Sequence, residues 1–395
     1  MAEAVSAAFQ EMVFTELEKN GIICIDVLVS PTGQGRDMEK VISYNNDLLR
    51  LKNRGQVFKE LVTNDGAYRM ELVKTCGLTK MAITNIVNEF LEKDIVVETV
   101  KNEEKKLGRK STLLRLSPGA KKIIGLMIHR NFVSAALCDC RLNVIRANTV
   151  RFTECDREIL LEKAFMLIEE MLEGNEVLGI GVGSIGPVNS EKGIILNPPD
   201  FFGIRDVPIV QILQERYGLP VYLDYHYNCA ARAEKYFGLA RNYKNFIFLG
   251  ITDGIGISIV VDGRILTRMT GNSSEFAHIT VDYNGPECGC GRRGCIGNLL
   301  NFTSKEAVWE SLRMLCAALL GVCDLLIPQA VIVRDERSSL TDEHLEWMKE
   351  ELNQKIVLRN YQSIEVFRSY RSKELEAAGC AANILGRVFS GEIEI

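Results

Sequence analysis

The sequence predicts an α/β body of two lobes, preceded by a small α+β winged helix-turn-helix module. Three observations predict it: a basic segment near one end of an acidic chain, two short helices followed by a pair of strands, and a three-strand meander with helices that occurs twice. The chain has 395 residues, 47% hydrophobic and 25% charged, as in an average soluble protein. No apolar run approaches the ~18–20 residues that span a bilayer. The first thirty residues carry Glu3, Glu11, Glu16 and Glu18 and lack a basic stretch leading into an apolar core, so no secretory signal is expected. The twelve cysteines are then read as thiols or metal ligands in a reducing cytoplasm, with no membrane association. A net charge of −5 excludes a protein that coats nucleic acid over its whole surface. One basic module remains compatible with it.

That module is expected over 38–118, where 15 Lys/Arg face 11 Asp/Glu, a net of +4 that leaves −9 for the remainder. Val57, Phe58, Leu61 and Val62 form one helical stripe, and AYRMELVKTCG reads as a second helix ended by Gly77. A third helix starts after Thr79, which can cap it, and carries Ile83, Ile86, Val87, Phe90 and Leu91 on one face. Glycine in the KTCGLT turn suits a helix-turn-helix. Residues 95–100 and 111–116 read as paired strands around a polar tip, completing a winged helix. In that geometry the third helix lies in the major groove of a double-stranded DNA operator. Thr79, Lys80, Met81, Thr84 and Asn85 face the bases, and Arg109 and Lys110 of the wing reach phosphates or the minor groove. Residues 1–37 fit neither part and are read as an N-terminal extension compatible with disorder; Met38 would itself suit as a start.

After Pro118 the period changes. KKIIGLMIHRN, FVSAALCDC and LNVIRANTVRF read as three strands, followed by a helix at 156–173 and the strand VLGIGVG. A helix (PIVQILQERYG), a strand (PVYLDY) and a helix (NCAARAEKYFG) come next, then a second meander in NFIFLGITDG, IGISIVVDG and RIL. This is an internal duplication: lobes of about 119–235 and 236–380 with a cleft between them, a favoured place for a ligand, and a C-terminal helix returning to the first lobe.

The richest segment is GNSSEFAHITVDYNGPECGCGRRGCIG. His278, Cys288, Cys290 and Cys295 supply an imidazole and three thiolates, a complete tetrahedral set for Zn2+. Gly289, Gly291 and Gly294 let the chain fold tightly enough for the sulfurs to converge. With no open coordination position, such a zinc is structural.

Glu-x-x-His followed by C-x-C-G-x-x-G-C resembles the ROK family of sugar kinases and related bacterial transcriptional repressors, whose repressor branch carries an N-terminal winged helix. GVGSIGPVNSEKG, LNPPDFFG, NCAARAE and GITDGIGISIVVDG extend the likeness. The resemblance implies an actin-like, hexokinase-like body of ribonuclease H-like duplicated lobes. It also implies a structural zinc, a homodimer or homotetramer, and a sugar or sugar derivative as effector. On this likeness Tyr225, His226, Asn228 and Glu275 are the candidate effector contacts.

Four departures separate this chain from the family's kinases. Tyr225 and His226 stand where those enzymes place Asn and the Asp that acts as general base. Met127 to Asn131 replace the Asp and glycines of the first phosphate loop, Arg334 and Asp335 a glycine pair near the nucleotide, and Gly297 a sugar-binding Glu. The segment from Gly297 to Leu326 is also short for the family. The expected function is a ROK-type transcriptional regulator, a repressor, without catalytic residues. The alternative is an ATP-dependent, glucokinase-like sugar kinase with a DNA-binding arm. A third reading keeps the regulator but gives it a non-sugar ligand in an aromatic cleft formed by Tyr225, Tyr227, Phe201 and Phe202.

Overall fold

Apolar periodicity decides the first folded part. The computed structural model describes residues 36–99, 112–252, 254–267, 275–369 and 376–395. By its contacts the chain divides at Leu48, and residues Leu49–Ile395 make one compact unit. Helix α1 (Arg36–Thr63) buries Val57, Phe58, Leu61 and Val62. Helix α2 (Arg69–Cys76) ends at Gly77, whose φ of 65° closes the turn. Helix α3 (Lys80–Glu92) is capped by Thr79, whose side chain accepts from the Ala82 amide at 3.2 Å. Its Ile83, Ile86, Val87 and Phe90 are buried, at ~1.5–3 kcal/mol for each fully buried side chain.

Strands β1 (Ala67–Tyr68), β2 (Val96–Thr99) and β3 (Leu113–Leu116) form a sheet in the order β1-β3-β2. Strand β1 corrects the reading of AYRMELVKTCG as helix throughout. Ala67 and Tyr68 are extended and pair with Leu114 and Leu113, and the Tyr68 amide is taken by Glu71 at 2.9 Å, which starts the helix one residue later. The hairpin tip, with Arg109 and Lys110, lies outside the described residues, as does most of the N-terminal extension.

The body holds two five-stranded sheets of one topology. The first comprises β4 (Lys122–Ile128), β5 (Phe132–Cys138), β6 (Val144–Arg151), β7 (Val177–Ser184) and β10 (Val221–Tyr225), in the order β10-β7-β4-β5-β6. The second comprises β11 (Phe246–Ile251), β12 (Ile255–Val261), β13 (Arg264–Ile265), β14 (Ala330–Asp335) and β15 (Glu365–Arg368), in the order β13-β12-β11-β14-β15. In each, the first strand pairs antiparallel with the second and parallel with the strand that follows a helix. Two short strands, β8 (Val188–Asn189) and β9 (Ile194–Ile195), pair separately.

Helix α4 (Arg157–Leu172), capped by Asp156, covers the first sheet, and α5 (Ile209–Tyr217) leads into β10. Helix α6 (His226–Phe237) follows β10 directly and touches strands of both sheets. After the short α7 (Ile296–Leu299), helices α8 (Lys305–Leu326) and α9 (Asp342–Lys355) build a second apolar core against β11 and β14. The C-terminal helix α10 (Glu376–Ser390) packs on β4, β7 and α6. Among the described residues no helix is long and apolar enough to cross a membrane.

Candidate functional site

The junction of β10 and α6 sets the inter-sheet cleft. Asp224, the last acid before the helix, is buried and fully engaged. Its Oδ2 takes both terminal nitrogens of Arg232 at 3.1 and 3.2 Å, and its Oδ1 accepts from the Asn228 amide and from the Tyr225 backbone, each at 2.8 Å. Ser190 Oγ also donates to Oδ1, at 3.4 Å. Asn228, a candidate effector contact, is buried, with its side-chain amide on Asp224.

Three aromatic rings follow one another here. His226 stacks on Tyr227 with centroids 3.9 Å apart and meets Tyr225 edge-on at 4.8 Å. Tyr227 lies over the β11–β12 hairpin where Gly250 pairs with Gly256. A Cβ at Gly250 would stand 2.1 Å from the Tyr227 ring, and one at Gly256 would stand 2.5 Å from both the Tyr225 hydroxyl and the Tyr227 ring. The glycines thus serve close approach of protein rings. The Tyr227 hydroxyl bonds Thr252 Oγ1 at 2.9 Å, tying α6 to the second sheet. Burial first, then neighbouring Tyr227 and Glu275, pushes the Tyr225 phenol well above its ordinary range. Burial, followed by the positive charge of His129, Arg334 and Arg130, holds the His226 imidazole well below its ordinary value.

Charged contacts span the same gap. Arg334 of β14 is buried and donates to Glu376 of α10 at 3.0 Å. It also lies 2.9 Å from Glu336, a close charge pair without hydrogen-bond alignment. Ser369, just beyond β15, donates to Glu234 of α6 at 2.7 Å. His226, Tyr227, Arg334 and Glu376 line a cavity of about 10 Å³, room for about one water molecule. The β4–β5 turn is drawn shut by the His129 amide on the Phe132 carbonyl at 2.9 Å, with His129 stacked on Phe132 at 4.7 Å. Phe201 and Phe202 do not join the aromatic group. Phe201 is buried and Phe202 is half exposed against Phe152, because the loop between β9 and α5 turns them away. Glu275 is exposed at the start of the Phe276–His278 turn.

That turn begins a second arrangement. His278, Cys288, Cys290 and Cys295 bring their donor atoms within 4.8 Å of one another. Cys288 Sγ is 3.4 Å from His278 Nδ1, and Cys290 Sγ is 3.6 Å from Cys295 Sγ. A tetrahedral ion at ordinary thiolate and imidazole bond lengths spaces such donors by roughly 3.6–3.8 Å. The cluster therefore fits a metal ion. The loop closes through the Val281 amide on Gly294 O at 2.9 Å and the Cys288 amide on Arg292 O at 2.8 Å. Gly294 has φ 59°, and a Cβ there would lie 1.6 Å from the Asp282 carbonyl, so no other residue lets the strands cross. Two residues past the last cysteine, a Cβ at Gly297 would crowd Ala277 at 3.0 Å.

On the small α/β part, Thr79, Lys80, Met81, Thr84 and Asn85 are all exposed on the first two turns of α3. Their exposure is what the apolar stripe on the opposite face requires. Sequence reasoning missed Glu376, Glu234 and Thr252, whose partners come from the other side of the cleft. Arg334 stood out in the sequence as a bulky replacement, but nothing local signals its partner.

A family model described as ROK family matches residues 123–311. The xylose repressor of Caldicellulosiruptor bescii is 26% identical, with 88% of this chain and 98% of that protein covered. The glucokinase of Thermotoga maritima is 33% identical over 38% of this chain and 48% of its own length. Among solved structures, a ROK family transcriptional regulator described as a homologue of the Escherichia coli MLC protein superposes with a TM-score of 0.74. It is 22% identical and covers 87% of this chain and 98% of its own. The chain carries a ROK family domain, on a two-sheet body whose fold that regulator shares.

Proposed function

We propose that the protein is a DNA-binding transcriptional repressor whose sugar-kinase-like body senses a small molecule and no longer transfers phosphate. The observation that carries this is the state of the cleft. At the end of β10 the His226 ring is packed against Tyr225 and Tyr227, and burial weakens it as a base. Tyr227 on Thr252 and Arg334 on Glu376 fill the space between the sheets. The name of the C. bescii relative, which matches along nearly its whole length, supports a repressor with a sugar effector, and xylose is the first to test.

On this reading residues 38–118 are a winged helix-turn-helix and α3 reads the operator. Lys80 and Asn85 sit where base edges are reached, and Arg109 and Lys110 serve the wing. His278, Cys288, Cys290 and Cys295 hold a structural Zn2+, which would pin the loop that carries Glu275. Two copies joined through the body, as homodimer or homotetramer, would present two such helices to a palindromic site in the cytoplasm. Tyr225, His226 and Glu275 remain the proposed effector contacts, with Asn228 supporting Asp224.

A gel shift with duplex from the gene's own upstream region tests this. Lys80→Ala with Asn85→Ala is expected to abolish preference for that duplex over a scrambled one; unchanged preference overturns the placement. A coupled ADP-release assay over hexoses and pentoses is expected to show no turnover. Turnover lost in His226→Ala would make the protein a kinase.

A further inference from the structure

One helix connects the cleft to the DNA-reading module. Helix α10 spans about 22 Å at 1.5 Å per residue. It lies so tightly on the first sheet that a Cβ at Gly125 would be 1.7 Å from Ala377 O, and one at Gly181 would be 2.0 Å from Cys380 O. Asn383 adds a bond to Tyr222 O at 3.2 Å. A helix seated like this moves as one piece or not at all. At its first residue, Glu376 holds Arg334 of the opposite sheet at 3.0 Å, both side chains 9% exposed.

Its other end meets α1 and, through α1, α3. A Cβ at Gly55 would stand 2.4 Å from Val388 O, so α1 and α10 touch backbone to backbone. Phe58 lies between Phe389 of the C-terminal helix and Phe90 of α3, at 6.2 and 6.1 Å. Arg54, with a side chain only 5% exposed, bridges Glu89 of α3 at 2.9 Å and Glu394 at 3.0 Å. Lys93, at the end of α3, reaches Glu89 at 3.1 Å and Glu394 at 3.5 Å. Beside this joint is a cavity of about 530 Å³ bordered by Phe58, Ile95, Lys121 and Glu394. The contact is therefore a strut with open space next to it, and α1 and α3 have room to pivot.

We propose that α10 carries the state of the inter-sheet cleft to the reading helix, with Arg54 and Glu394 as positioning residues that set the angle of α3. The proposal rests on the DNA-binding function above. A ligand that draws Arg334 away breaks the ion pair that ties the first residue of α10 to the second sheet, so the position of α10 shifts with the state of the cleft. At the far end the charge-assisted pairs are directional, so the same shift turns Glu89 and with it α3.

The test is a double-mutant cycle on the full chain, read by fluorescence anisotropy at one salt concentration. The probe is a duplex that the protein itself selects from a random pool. Glu376→Gln, at the cleft end, is expected to change affinity by about five-fold or more. Arg54→Met is expected to weaken binding, and Glu376→Gln added to it should then change nothing further. Independent effects at such separated sites would simply multiply, and that result overturns the proposal. So does unchanged affinity in Glu376→Gln. Arg54→Lys should restore part of the coupling, and Glu394→Gln, at a side chain 61% exposed, replaces Arg54→Met if that variant does not fold. Hydrogen exchange is the second readout: Glu376→Gln should alter amide protection within residues 80–92, and unaltered protection refutes the strut. If no duplex is selected, the DNA-binding function fails by itself, and hydrogen exchange still decides the coupling.

Discussion

The proton affinity of His226 reports how closely the cleft is packed around it. A free histidine titrates near 6.5. In the fold, burial is the largest cause holding His226 well below that value, followed by the charges of His129, Arg334 and Arg130. The unfolded chain therefore binds a proton at a pH where the folded chain does not. This contribution to stability is complete above about pH 6.5 and is lost as pH falls below it. The loss is about 1.4 kcal/mol per pH unit until the folded value is reached. The chain has only four histidines, so ring-labelled 13C spectra resolve each, and His226→Gln identifies the relevant signal by its loss. That signal is expected to titrate with a midpoint below 6.5. Urea unfolding should show wild type losing stability relative to His226→Gln as pH falls through 6.5, by at most about 1.4 kcal/mol per pH unit. A midpoint at or above 6.5 would refute the reasoning.

Three further outcomes are expected. Purified protein should carry one Zn2+ per chain by metal analysis, with Cys290→Ser or Cys295→Ser losing it and chelation lowering the melting temperature; stoichiometric zinc in either variant refutes the site. Gly250→Ala forces a methyl to within 2.1 Å of the Tyr227 ring and should cost about 1–3 kcal/mol in urea unfolding, a cost relieved when Tyr227→Ala is added. If Gly250→Ala costs as much in the Tyr227→Ala background as in wild type, ring contact is not the cause. Thr79→Ala removes the cap on the Ala82 amide and should cost about 1 kcal/mol with duplex affinity reduced; equal stability would show that α3 does not depend on its cap.

Much of the architecture was legible because its causes are local. The stripe Ile83, Ile86, Val87, Phe90 announces α3 from spacing alone, and Thr79 and Gly77 mark its start and the preceding turn. Both meanders are runs of apolar residues between turn signals, so the repeated sheet could be read without coordinates. The cysteine spacing was equally informative, since four donors and four glycines within eighteen residues leave few other ways to fold. Ala67 and Tyr68 were misread because their pairing with β3 is a tertiary contact that overrides a helical pattern.

From residue order alone follow the fold class, the exposed face of α3 and a His/Cys set that could hold a metal ion. These depend on neighbours a few positions apart, where periodicity and ligand chemistry act. Tertiary structure alone decided that Asp224 is spent on Arg232 and Asn228, that Tyr227 closes on Thr252, and that Arg334 meets Glu376 across the cleft. It alone joined Arg54 to Glu394, 340 residues apart. Charge pairs of that kind have no period and no spacing rule. They exist only because two sheets and a returning helix bring remote side chains together.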